Sequence, residues 1–246
     1  MKKIITALVI IMLIAVGSVL RSKYVFIDDK FYPKDVKELF INLDDTSISE
    51  LNQCAELEFL MASYANNTAL EQMNAFENLT DLIIHANTEI SGSGIEKINM
   101  LPNLKSLWFR ASNIDLSNIR NDSVERIEIS HCEMTDSDLM GLKNCPSLNC
   151  LMFYRITLDN CFTVTSIPRD DRPLYEKRYA LTDSSCLSGF DSIKELNIYS
   201  TYIEDISGIE EMDSLETLTV DKGYISWKDK KALEAKGITV RYSGES

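Results

Sequence analysis

His85 and His131, the six cysteines and the aspartate pairs at 28–29, 44–45 and 170–171 are the residues with the chemistry for metal binding, nucleophilic attack or proton transfer. Each of those chemistries makes a demand on spacing. Zinc sites draw on close pairs such as C-x-x-C or H-E-x-x-H, and neither pattern occurs. A calcium loop places its oxygen ligands at alternate positions, a frame that the aspartate pairs lack. No G-x-S-x-G elbow or phosphate-cradling P-loop is present. A nucleophilic cysteine needs a base held beside it in a cleft, and no such arrangement can be read here. The expectation is therefore a non-enzyme, with no catalytic, cofactor-binding or metal-ligating residue and no cofactor.

Composition narrows the partners. Apolar residues make up 45% of the chain and charged residues 26%, the balance of a globular protein. Against 25 Lys and Arg stand 38 Asp and Glu, a formal charge of −13 that repels a phosphate backbone. With no segregated basic patch, nucleic acid is not an expected partner. The amino terminus differs from the rest. Lys2 and Lys3 precede an uncharged, mostly apolar run from Ile4 to Leu20, followed by Arg21 and Lys23. Residues 1–23 thus read as a membrane-addressing segment, either an uncleaved anchor or a cleaved signal peptide. Ala15-Val16-Gly17 offers small residues for cleavage, whereas the charge at Arg21 and Lys23 opposes it. Seventeen residues rise only about 25 Å as a helix, the short limit for a span. Either reading places the chain outside the cytoplasm, secreted or anchored at the cell membrane.

The elements that must position any site are set by a repeat. The pattern L-x-x-L-x-L recurs as Val36-x-x-Leu39-x-Ile41, Leu57-x-x-Leu60-x-Ala62, Leu79-x-x-Leu82-x-Ile84 and Leu104-x-x-Leu107-x-Phe109. It continues as Val124-x-x-Ile127-x-Ile129, Leu148-x-x-Leu151-x-Phe153, Ile193-x-x-Leu196-x-Ile198 and Leu215-x-x-Leu218-x-Val220, and closes with a truncated Ile238-x-Val240. Successive copies lie 21, 22, 25, 20, 24, 45 and 22 residues apart. Within each copy the alternation predicts a short strand with one buried face. One copy cannot bury its own leucines, but stacked neighbours can. The fold class expected is an α/β repeat, a leucine-rich-repeat solenoid. Its curved parallel β-sheet lines the concave face; short helices, 3-10 turns and loops form the convex one.

The stretch Leu196-Asn197-Ile198-Tyr199-Ser200-Thr201-Tyr202-Ile203-Glu204-Asp205-Ile206-Ser207-Gly208-Ile209, closing at Leu215, resembles the 22-residue repeat of bacterial internalin-like proteins. The resemblance covers roughly residues 36–242 and implies a module for binding proteins. Asn87 stands at that family's asparagine position, which implies backbone hydrogen bonds along the stack. Asp44, Ala65, Ser112, Cys132, Ile156, Thr201 and Gly223 stand there in the other copies, so a less regular ladder is expected.

A solenoid needs caps at both ends. Residues 24–35, with Tyr24-Val25-Phe26-Ile27 and Phe31-Tyr32, read as the first; 226–246 read as the second. There Ser226-x-x-Asp229 predicts a capped helix from Trp227 to Ala235, stopped by Gly237, with Trp227, Ala232 and Leu233 on its inner face. The repeats then occupy 36–225. The 45-residue spacing reads as an insertion at about 157–180, because Leu181-Thr182-Asp183 onward matches Met134-Thr135-Asp136. Long insertions on rigid scaffolds either bind or are merely tolerated, and both readings stand. Cys161 and Cys186 bracket most of this one and could staple it as a disulfide. Cys132 reads as a small buried hydrophobe.

Stacking in register puts Phe40, Met61, Ile83, Trp108, Glu128, Met152, Asn197, Thr219 and Thr239 in the central concave column. Asn42, Ser63, His85, Arg110, Ser130, Tyr154, Tyr199, Asp221 and Arg241 form the next. Glu38, Phe59, Asp81, Ser106, Arg126, Cys150, Glu195 and Thr217 form the one before. His85 and His131 fall on non-adjacent strands. Nine strands at about 4.8 Å span an arc on the order of 40 Å, a protein-sized footprint. Phe40, Phe59, Met61, Ile83, Trp108, Arg110, Met152, Tyr154 and Tyr199 are the candidate partner-binding residues, large apolar groups ringed by polar ones. The alternatives for the amino-terminal members are that a terminal segment covers them or that the register slips at the degenerate second repeat. The expected ligand is a protein, or else a glycan. The alternative function is a structural or envelope-associated scaffold organising partners of the same cell.

Overall fold

The computed structural model describes residues 22–43, 47–111, 113–158, 161–169 and 172–245. The apolar segment 4–20 lies outside them; among the described residues no helix is long and apolar enough to cross a membrane. The described chain opens with an antiparallel hairpin, β1 (Tyr24–Ile27) and β2 (Lys30–Pro33). Then come β3 (Glu38–Asn42), β4 (Phe59–Ser63), β5 (Asp81–Ala86), β6 (Ser106–Ala111) and β7 (Arg126–Ser130). A short β8 (Glu133–Met134) precedes β9 (Cys150–Tyr154) and β10 (Thr157–Leu158). A second hairpin, β11 (Phe162–Arg169) and β12 (Arg172–Leu181), is followed by β13 (Glu195–Tyr199), β14 (Thr201–Ile203), β15 (Thr217–Val220) and β16 (Thr239–Tyr242).

One member of each repeat joins a nine-stranded parallel sheet in the order β3-β4-β5-β6-β7-β9-β13-β15-β16. The alternation decides which face is buried. Leu39 and Ile41, Leu82 and Ile84, Leu107 and Phe109, and Leu151 and Phe153 are all buried, while their strand neighbours, Cys150 excepted, are at least partly exposed. Each such side chain withdrawn from water contributes about 1.5–3 kcal/mol, repeated along one continuous core.

Behind the sheet the chain returns through short helices, Ile48–Leu51, Asn67–Gln72, Gly92–Asn99, Asp136–Leu142 and Ser207–Glu210, and a 3-10 turn, Ser184–Leu187. Polar groups, buried at Asn121 and Asp138, tie these segments across repeats. Asp138 accepts from Thr135 N (2.7 Å) within its own capping box and from Leu116 N (2.6 Å) of the preceding repeat. Asn121 donates to Ile98 O and Leu101 O, both at 2.9 Å. Asp205 accepts from Ser184 N and Oγ, both at 2.7 Å. Burial pushes the Asp205 carboxyl up, but hydrogen bonds from Ser184 and Ser207 outweigh that and bring it down to about 2. Asn87, by contrast, is exposed at the sheet rim. Asn121, Asp138 and Asp205 thus tie neighbouring repeats together on the convex side.

The 45-residue spacing leaves the main sheet unbroken, since β9 pairs directly with β13. The extra residues form the β11–β12 hairpin, which enters a second, smaller sheet ordered β14-β12-β11-β10-β8. Its ladder to neighbouring strands is confined to its base, at Leu158↔Phe162 and Tyr179↔Thr201 through Leu181↔Ile203.

At the amino end Val25 and Ile27 are buried on the first repeat, and Asp28 Oδ2 accepts the Asn42 N–H of the edge strand at 2.6 Å. Only alternate residues of this hairpin point inward; Tyr24, Phe26 and Phe31 are exposed. At the carboxyl end Ser226 caps the helix Trp227–Ala235, accepting from Asp229 N at 3.1 Å, and Gly237 follows with φ +90°. Leu233 alone of that helix is buried; Trp227 is 75% exposed, which corrects its expected inward placement. At N1 of the helix its side chain projects away from the face that carries Leu233. A second correction concerns the last strand. Thr239 pairs with Thr217 and Arg241 with Thr219, so Arg241, not Thr239, ends the central column. A shift of two residues keeps every side chain on its own face, so the apolar pattern cannot distinguish the two registers.

Candidate binding face

The first eight strands of the main sheet stack in the expected register. Phe40, Met61, Ile83 and Trp108 are direct partners on four consecutive strands, forming an unbroken apolar column on the open face. Phe40 is 60% exposed, and its ring lies 5.2 Å from that of Phe59. Met61, Ile83, Trp108 and Met152 are half-buried, each leaning on neighbours along the column. The Trp108 indole is held in place, its Nε1 donating to Ser130 Oγ at 3.1 Å and its ring meeting His85 edge-on at 6.0 Å.

Glu128 interrupts the column between Trp108 and Met152. Burial raises its carboxyl above the ordinary range, against an opposing pull from Arg126. Beyond it, Asn197 is buried and donates to Cys150 Sγ at 3.6 Å. Tyr154 and Tyr199 are half-buried partners one column over. The candidate residues therefore fall into an apolar group on β3–β6 and a more polar group on β9 and β13, with Arg110 on β6 at the rim.

Arg110 belongs to a feature that spacing in sequence does not reveal. A hollow of about 500 Å³ is lined by Ser63, Tyr64, His85, Ala86, Asn87, Arg110, Ala111 and His131. It lies where four consecutive strands turn toward the convex side. His85 pairs with Arg110 across β5 and β6, and His131 follows Ser130, the partner of Arg110 on β7. The histidines are on non-adjacent strands, yet Arg110 between them makes a single site. Tyr64 and His131 hold left-handed backbone, φ +56° and +55°, in a turn that recurs at Arg155 and Ser200.

The cysteines offer little reactivity. All six are free, and five are buried. Burial pushes the Cys54, Cys132 and Cys150 thiols up to about 11, where the nucleophilic thiolate is scarce. Cys161 and Cys186 are in thiol-to-thiol hydrogen-bond contact at the base of the inserted hairpin. Among the described residues no group of three or more His, Cys, Asp or Glu could hold a metal ion.

No family model matches the chain, and no curated protein does. Among solved structures, internalin C2 of Listeria monocytogenes superposes with a TM-score of 0.51, covering 87% of this chain and 86% of that one. The chain has the internalin-like leucine-rich-repeat fold. At 14% identity the likeness is one of fold. Internalin F of the same organism gives a TM-score of 0.46 at 15% identity, over 85% of this chain and 63% of its own.

Proposed function

We propose that this internalin-like solenoid is an extracytoplasmic recognition module that binds a protein on its concave face, and that it acts by binding rather than catalysis. The observation that carries the reading is the column Phe40, Met61, Ile83 and Trp108, large apolar groups on adjacent strands of a rigid sheet. On a sheet face that served only to meet solvent, these positions would carry polar groups. Met152, Tyr154 and Tyr199 extend the footprint, and Arg110 borders it. The apolar run 4–20 between Lys2, Lys3 and Arg21 supports export, with the membrane as a second contact where the segment is retained.

The test is capture of surface or secreted proteins by the folded solenoid, repeated with Trp108→Ala and with the convex-side variant Met140→Ala. A buried aromatic anchor of this kind carries about 2–4 kcal/mol of a protein interface, so Trp108→Ala should weaken capture by thirtyfold or more. Met140, exposed on the convex side, should be silent. Partner binding that is lost equally in both variants, or in neither, refutes the face assignment.

A further inference from the structure

The hollow beside Trp108 differs in charge from the rest of the molecule. The chain carries −13 overall and has only two histidines, yet both of them and Arg110 line this one depression, and among the described residues no Asp or Glu does. Among the described residues Arg110 forms no ion pair. His85 Nε2 is buried in the wall without a hydrogen-bond partner.

We propose that this hollow is a carboxylate-binding subsite that takes an Asp or Glu side chain of the protein bound on the adjoining concave face. Arg110 is the forked donor, and His85 and His131 complete the cage. The inference rests on the recognition reading above. A single planar guanidinium with two imidazoles matches a planar carboxylate, which accepts two parallel N–H bonds. The source follows from position. His85 and Arg110 stand two residues beyond Ile83 and Trp108 on the same face of the same strands, so a chain seated on Trp108 reaches the hollow with its neighbouring side chains.

The groups around the imidazoles set the pH dependence. Tyr64 follows β4, His85 and Asn87 belong to β5 and its turn, Arg110 to β6, and His131 to the turn after β7. Arg155, after β9, stacks on Tyr154, whose ring also meets His131 at 5.0 Å. Glu128 is the nearest carboxylate along β7 and lies in the central column instead. Burial, and after it the Arg110 charge, holds both imidazoles below the ordinary histidine range; Arg155 adds to this at His131. A bound carboxylate reverses that influence. If it raises one imidazole by a pH unit, binding is about tenfold tighter below the two pKa values than above them.

Two histidines give two imidazole Cε1–H signals, so NMR reads the site directly. The probe is a capped tri-glutamate peptide, titrated at pH 5.5 and pH 8 into the wild type, Arg110→Gln and Trp108→Ala, with glucuronate as a parallel ligand. Both signals should shift saturably with peptide. Binding should be about tenfold tighter at the lower pH, and weakened at least tenfold in Arg110→Gln, whose exposed side chain leaves the fold intact. Trp108→Ala should keep the peptide response while losing the protein partner. Absent saturation, or an unchanged response in Arg110→Gln, overturns the subsite. Glucuronate saturating below the peptide overturns the protein source. Partner capture that survives Trp108→Ala with the peptide response intact sinks the recognition face and leaves the carboxylate site standing.

Discussion

Replacing Gly141 by alanine sets two effects of opposite sign against each other. Gly141 lies in the last turn of the helix Asp136–Leu142 and has no left-handed backbone, so alanine fits its conformation. Helix propensity and reduced unfolded-state freedom favour alanine by up to about 1 kcal/mol. Space opposes it. The new Cβ would stand 2.0 Å from Leu116 O, 2.8 Å from Leu116 C and 3.0 Å from Ser117 Cα, all backbone atoms of the preceding repeat. Leu116 cannot yield easily, since its N–H is bound by Asp138 Oδ1 at 2.6 Å and its carbonyl accepts Ile119 N at 2.9 Å. Overpacking on this scale costs about 1–3 kcal/mol, and loosening the charged Asp138 bond adds about 1.5–3 kcal/mol. The steric side wins, with a net loss of about 1.5–6 kcal/mol. Urea unfolding followed by circular dichroism should show a midpoint lower by roughly 1 M at an m-value of about 3 kcal/mol per M. Gly208→Ala, 1.8 Å from Ser184 O, should behave alike. Gly94→Ala meets only side-chain ends, Asn67 Oδ1 at 2.6 Å and Leu70 Cδ1 at 3.2 Å, and should lose much less. A Gly141→Ala protein as stable as the wild type would refute the reasoning that the close approach of the Leu116 backbone requires glycine at 141.

Three further outcomes follow from the same geometry. Asp205→Ala should destabilise by about 1 kcal/mol at pH 7, discounted for partial exposure. Because the folded pKa of about 2 lies below the ordinary 3.8, that difference should persist above pH 4 and fade as pH drops through 2, which denaturation at stepped pH measures. Glu128 has the opposite sign. Its folded carboxyl is raised by burial, so its penalty appears as pH rises through the folded pKa; Glu128→Gln should raise the melting temperature at pH 8 and leave it unchanged below the unfolded pKa. Under oxidising conditions, Cys161 and Cys186 should form the disulfide proposed for the hairpin base, stabilising by about 3 kcal/mol for a loop of this length and giving a linked peptide pair by mass spectrometry.

The fold was legible because its signal is redundant. Leucines two apart within a strand and three apart before it recur in every copy, so slips such as Ala65 or Ile156 at the asparagine position did not disturb the register of β3 through β15. The last strand failed because Ile238, Val240 and Tyr242 alternate alike in either of two registers, and no repeat follows to choose between them. Trp227 misled because size and apolarity say nothing of which side of a two-turn helix meets the core. The polar ties at Asn121, Asp138 and Asp205 went unread for another reason. Their partners lie about one repeat away, and each sits where the convex segment, irregular from copy to copy, happens to pass.

The amino-acid sequence by itself determined which side chains face the core and which face out, because side-chain direction in a strand has period two and one face must be buried. It thereby settled the apolar column Phe40, Met61, Ile83 and Trp108. Only the tertiary structure decided that His85, Arg110 and His131 share one hollow. Residues in successive repeats become neighbours about 4.8 Å apart through stacking, and whether the turns after them close toward one another depends on backbone conformations, such as the left-handed Tyr64 and His131, that no residue type there encodes.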